Sequence, residues 1–482
     1  MAEYDIYPTH FLDNSRSHKN LLLAWTLRFN DVLDGEKLND ALWQLLEIGD
    51  WRKLGGRLRM DKQGKLEMHV PKVFTKEYPP VYFTRESFDL SIEEHPLARE
   101  LPTPTENISL QRPASDFRSL STRPDAPRTL TDLISKDIPQ MSLHVASFND
   151  ATLVSVSWPH ALMDGMSLQS LLKSWSLVLA GKSEEVPPLL GAKEDLIYTA
   201  ASPQIVPKEP WIMGEAILTG FAFFLFVVRF LWNILTERTI ECRTICFPRA
   251  IMARLRQKAL EEAAEVHLDK EDPPWLSEGD VILAWGAKIV AMAQPSPRPM
   301  NGLCPLDLRP RLPELADANG VFIQNAVACA GIQLSKAELK QPLGFIASKW
   351  REALTTQTTP SQVRSFLCES RKLWDSGKDP SLVPGLWNGE LFTVTNWTKG
   401  NFVNVADFSP AVSKTGKSGE KRSNRPGTMV YHQSFVLGND ATMRNVIGVV
   451  GKDCWDNYWM TGYFSPRTWA VMEREIETLS RI

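Results

Sequence analysis

The chain has 482 residues. Single hydrophobic cores rarely serve more than about 250–300 residues, so two domains are expected. A net charge of -3 supplies no overall field to draw nucleic acid or anionic lipid, which argues against a nucleic-acid partner. The 6 cysteines, at 242, 246, 304, 329, 368 and 454, form no C-x-x-C pair and no cluster with histidine at ligand spacing, so no metal is expected and they read as reduced thiols of a cytoplasmic protein. The first ten residues lack a basic segment followed by an apolar core, so no secretory signal is expected.

Residues 21–29 read as a strand. Residues 153–158 read as a half-buried one, with Val154, Val156 and Trp158 on one face and Ser155 and Ser157 on the other. From Leu168 the period changes: Leu168, Leu171, Leu172, Trp175, Val178 and Leu179 form the core stripe of a helix that Gly181 ends. Residues 182–210, with Pro187, Pro188, Pro203, Pro207 and Pro210, read as a long crossing loop that closes the first domain. Residues 216–235 follow, an almost unbroken apolar run that contains Phe221, Phe223, Phe224, Phe226, Phe230 and Trp232. A span of the bilayer needs about 20 apolar residues, and this run reaches that length only by accepting Arg229 and Asn233. The favoured reading is a monotopic helix or hairpin dipping into one leaflet, Arg229 snorkelling, with burial between domains as the alternative. Residues 414–427 form a second polar loop, 429–437 and 445–450 read as strands, and 466–481 as a closing helix.

Between the strand at 153–158 and the helix that follows stands an H-x-x-x-D-G run, His160 to Gly165. Random sequence with 8 histidines supplies roughly 0.03 copies of that motif. A histidine where a strand runs out is held by the scaffold and open to a cavity, which suits a general base. A core histidine with Asp164 as an ordinary carboxylate at a helix start is the competing reading.

Further stretches repeat a known order. Leu38 to Ile48 and then Leu54-Gly-Gly-Arg-Leu58 resemble the first helix and the L-x-G-R-L strand of the BAHD acyltransferases, fungal secondary-metabolism branch, within the chloramphenicol-acetyltransferase-like superfamily. Asp307-Leu-Arg-Pro-Arg311 with Asn325-Ala-Val327 resembles the family's D-x-R-x-R and N-x-V pair, and Thr395-Asn-Trp397 then Asp407-Phe408 its S-W and D-F-G-W-G. Gln324 replaces the Gly before Asn325, and Ser409, Pro410 and Ala411 replace Gly-Trp-Gly, departures that bear on subfamily.

The resemblance implies an α/β, two-domain fold with mixed sheets, flanking helices and a tunnel between domains: 1–200 first, 201–240 as crossing loop and apolar segment, 241–482 second. It implies acyl transfer, acetyl above all, from a coenzyme A thioester to a hydroxyl of a small apolar secondary metabolite such as a terpenoid, polyketide or alkaloid, directly and without a permanent cofactor. A monomer is expected, though no residue pattern carries that expectation. His160 is then the base, with an unperturbed pKa near neutrality. Thr395 becomes the candidate oxyanion stabiliser, or else an ordinary ladder residue. Asp164 turns away to pair with Arg309, for which Asp307 and Asp407 are competing partners. Gly165 permits a tight turn. Lys414, Lys417, Lys421 and Arg422 are candidate contacts for coenzyme A phosphates, or a solvated loop. An amide-forming or carrier-dependent relative and a catalytically silent binding protein are the rival readings. Gly416-Lys-Ser418 lacks the strand and first glycine of a phosphate loop, and no G-x-S-x-G occurs, which sets aside nucleotide-triphosphate and serine-hydrolase chemistry.

Overall fold

The computed structural model describes residues 3–62, 64–202, 204–205, 209–266, 275–416, 422, 424–438 and 442–480. Two sheets carry it. The first has five strands in the order Tyr431–Val436, Leu22–Phe29, Thr152–Pro159, Ser142–Ser147, Tyr82–Ser87, antiparallel except for the last pair. The second has seven, in the order Val327–Leu334, Met300–Asp307, Glu390–Asn396, Val446–Lys452, Tyr458–Phe464, Glu241–Phe247, Ser109–Gln111. Glu390–Asn396 pairs in parallel with both neighbours.

Helices Gly35–Leu45 and Ser167–Leu179 cover the first sheet, and the Trp175 indole donates to the Leu38 carbonyl at 3.0 Å. The first of them starts before the apolar stripe at Leu38 because Asp34 caps it, accepting from the Glu36 and Lys37 amides. Arg249–Val266, Glu278–Ala293, Leu343–Gln357 and Pro466–Ser480 build the core against the second sheet. The expected strands at 21–29, 429–437 and 445–450, and the closing helix, are present to within a few residues, with residue 481 outside the described set.

Four expectations need correction. Thr152–Pro159 is buried on both faces, not half-buried, because it is central; Ser155 Oγ and Thr26 Oγ1 lie 2.9 Å apart and Thr26 donates to Ser121, so the polar face is satisfied internally. The crossing loop contains a helix, Leu196–Ala200, capped by Asp195; Pro203 and Pro207 lie outside the described residues. The chain does not divide cleanly at 200 and 241. Ser109–Gln111 joins the second sheet and Tyr431–Val436 the first, while Phe402, Phe408 and Ala411 belong to the first core.

The fourth correction concerns the apolar run. It forms the helix Gly220–Thr236, which is neither buried between cores nor long and apolar enough to cross a membrane. Phe226 is packed at 7% exposure, whereas Phe221 (72%), Phe224 (57%) and Trp232 (62%) stand in the open with Phe223, Val228, Leu231 and Leu235. Arg229 does not snorkel outward. It folds in to the Gly389 carbonyl and to Glu390, at 3.4 Å, where Asn233 also donates.

Candidate active site

His160 follows the last residue of Thr152–Pro159 and is anchored by its backbone. Its amide donates to the Leu21 carbonyl at 2.7 Å and its carbonyl accepts from Asn325 Nδ2 at 2.7 Å. Asn325 in turn binds Asp13 Oδ1 through its amide (3.0 Å) and Nδ2 (2.7 Å). The imidazole Nδ1 is buried with no hydrogen-bond partner among the described residues, which leaves Nε2 for chemistry. Burial and the neighbouring His18 push the His160 pKa down to about 4, against the pull of Asp164, so the ring is neutral at pH 7.

Asp164, 3% exposed, faces away from that ring. Both its oxygens lie 3.1 Å from Arg309 Nη2; Oδ1 also accepts from the Ser167 amide at 2.9 Å and Oδ2 from the Ala326 amide at 3.0 Å. Burial alone would raise its pKa, but Arg309 and these amides outweigh burial and hold it below the ordinary carboxylate value. Arg309 spends its remaining donors on the Phe322 and Gln324 carbonyls and on Asp307 Oδ1. One guanidinium therefore ties the histidine loop of the first sheet to the strand ends of the second. Of its candidate partners, Asp164 and Asp307 are both engaged. Asp407 is not: its carboxylate accepts the Ser409 amide at 3.0 Å, so the expected Arg309 and Asp407 pair is absent.

Gly165 is required for a different reason than a turn. A Cβ there would fall 2.7 Å from Trp397 Nε1, so it is the close approach of the indole that excludes a side chain. Thr395 is half-buried on Glu390–Asn396, in register with Gly448, beside the same indole. Lys417 and Lys421 lie outside the described residues. Lys414 is exposed on the short strand Val412–Thr415 and donates to the Asn149 carbonyl. Arg422 is committed elsewhere, as a two-point pair with the buried Asp31 at 2.9 and 2.6 Å, and is not free for a phosphate.

Asp13, His18, Ser167 and Asn325 complete the surroundings of His160 without having been singled out in the sequence as site residues. Ser167 carried a local signal, since a carboxylate three residues before a helical amide is a capping pattern, and Asn325 stood in a matched motif that did not tell of its reach to His160. Asp13 and His18 come from distant positions and announce nothing individually.

The family model described as Transferase family matches residues 115–411. The chain belongs to this family. It is 36% identical to O-acetyltransferase PaAT-2 of Phomopsis amygdali, over 98% of each chain. Acetyltransferase BOT5 of Botryotinia fuckeliana is 33% identical, over 98% of this chain and 90% of the relative. The fold is that of TRI101 of F. graminearum, solved with coenzyme A and T-2 mycotoxin: TM-score 0.65, 11% identity, 98% of this chain and 97% of the other. The chain is an acyltransferase of the mixed α/β, two-domain kind expected from its motifs.

Proposed function

We propose that this acyltransferase moves an acyl group, acetyl first of all, from coenzyme A to a hydroxyl of a small, largely apolar secondary metabolite, and that His160 is its general base. The observation that carries this reading is the division of labour in the motif: Asp164 is consumed by Arg309, while His160 stays neutral with Nε2 unclaimed. The acceptor proton passes to Nε2 as the oxygen bonds to the thioester carbonyl carbon. The C–S bond then breaks and the proton leaves on sulfur, so no acyl-enzyme forms. Such a base contributes about 10²–10⁴ in rate. Thr395, on the strand beside Trp397, is assigned to the oxyanion, and Lys414 remains a candidate for a coenzyme A phosphate. The names of the fungal relatives support acetyl as the group; the arrangement assigned with it is a monomer working in a tunnel between the two sheets.

The test is incubation with acetyl-CoA and an extract of the producing organism, with products read by mass for one added acetyl group. His160→Ala should abolish most of that product while coenzyme A still binds. A loss below about tenfold would remove His160 from the base's role.

The helix Gly220–Thr236 supports a second part of the reading, a contact with one leaflet of an intracellular membrane near an apolar acceptor. Seven large apolar side chains point outward from it, and Leu386 and Trp387, three and two residues before the Gly389 carbonyl that Arg229 holds, are exposed beside it. A contiguous apolar surface of this kind marks an interaction site.

A further inference from the structure

The proposed base has no carboxylate behind it to orient the imidazole, because Asp164 is turned to Arg309. Its Nδ1 makes no hydrogen bond among the described residues, and the polar groups that favour its protonated form are its own backbone and the Asn325 side chain. The face of the ring is held by a further contact. The His18 ring lies on it, centroids 4.7 Å apart and planes inclined by 23°, a stacked arrangement. His18 belongs to the short helix Arg16–Lys19 and is itself fixed. Its Nδ1 is 3.1 Å from the Leu12 carbonyl and 2.7 Å from Ser15 Oγ. A carbonyl only accepts, so Nδ1 carries the proton and the neutral ring is locked as one tautomer.

We infer that His18 is the positioning residue of the site: it holds the His160 imidazole in plane by stacking. A second titratable ring in face contact also opposes a positive charge on His160. The inference rests on His160 being the base. The charged groups that face the pair are Asp164 with Arg309 behind it on one side, Asp379 toward His18 on the other, and Asp13 behind Asn325. The carboxylates favour protonation of either ring, and burial and the second ring oppose it.

Three variants test this in the whole protein: His18→Phe, which keeps an aromatic ring without a charge, His18→Ala, which removes both, and His160→Gln to assign resonances. The readouts are the titration midpoint of His160 by NMR of histidine-labelled protein, and thiol release from acetyl-CoA with water as acceptor. In His18→Phe the His160 midpoint and the acid limb of thiol release should both move to higher pH, because the like charge is gone, while the rate at pH 8 stays within about threefold of the wild type. In His18→Ala the rate at pH 8 should fall at least about tenfold with little change in KM for acetyl-CoA, because the ring is no longer held. An unmoved His160 midpoint in His18→Phe, or a His18→Ala rate within about twofold of the wild type, overturns the inference. So does failure of both variants to fold, which would make His18 a packing residue. Full activity in the His160→Gln protein would instead remove the base itself.

Discussion

Asp164 and Arg309 are where a single atom's identity is worth most. The pair is almost fully buried, and each partner is wrapped in further hydrogen bonds, so removing the charge from one leaves the other uncompensated at low dielectric. Asp164→Asn should therefore cost about 3–5 kcal/mol in stability, by urea unfolding, together with activity. Asp164→Glu should not rescue it, being one methylene too long for a pocket that fixes both oxygens. An Asn variant as stable as the wild type yet inactive would make Asp164 a chemical participant. The pair was legible in the sequence because both residues stand in spaced motifs. His18, Asp13 and Asn325 were not legible as neighbours of His160. Asn325 stood in a matched motif, but its amide reaches His160 and Asp13 only because the fold brings residues 13, 18, 160 and 325 to one place. Arg422 shows the opposite error. A basic loop suggested phosphates, but a buried carboxylate at position 31 is a stronger claimant and is invisible from residues 414–427.

Among the elements, those with strong periodicity emerged where expected. Ser167–Leu179 buries the stripe read from its sequence, and Gly181 behind it has φ +73, the left-handed region that ends helices. Elements defined by their neighbours did not. Thr152–Pro159 has alternating polarity yet is buried throughout, since alternation marks two chemically different faces but not whether the second is wet. The strand exchange between the sheets is likewise a matter of pairing, which local patterning does not encode. The helix Gly220–Thr236 was legible as unusual but not in its orientation, which is set by Arg229 and Asn233 reaching Glu390 at the start of the strand that carries Thr395. That inward anchor decides which substitutions test a membrane contact. Phe221→Ser, Phe224→Ser and Trp232→Ser together change only the open face, so the folded protein should lose its sedimentation with lipid vesicles while thiol release from acetyl-CoA is kept. Wild-type attachment should resist high salt, because it is apolar burial rather than charge. A wild type that stays in the supernatant, or a triple variant that still sediments, removes the lipid surface from the reading.

At the scale of the molecule, burial of histidine is the dominant electrostatic investment, and it sets the pH at which the fold weakens. Burial pushes His144 and His160 down to about 4, His432 to about 3 and His10 to about 2, and lowers His18 as well. Both ring nitrogens of His10 are buried without partners among the described residues, beside a fully buried Lys53 whose pKa burial lowers to about 8. The unfolded chain protonates these histidines near 6.5, while the native chain waits for far lower pH. Below 6.5 the unfolded state thus binds more protons, and stability falls as pH falls. Carboxylates raised by burial oppose this: Asp195, raised to about 6, takes up its proton in the native state first. Asp13 and Glu390 are also raised by burial and pull the same way. Carboxylates with lowered values, Asp164 and Asp31 among them, act only below the ordinary range near 4. Five histidines against three carboxylates leave a net loss between pH 6.5 and 4. Thermal unfolding followed by circular dichroism should show Tm dropping steadily from pH 7 to pH 4.5. Replacing His432, remote from His160 in the chain and packed against Trp25 and Phe402, should flatten that slope by about one proton's worth if the substitute, His432→Gln, keeps the acceptor for the Trp25 indole. A Tm independent of pH over this window would mean that the buried rings are already solvated in the native state.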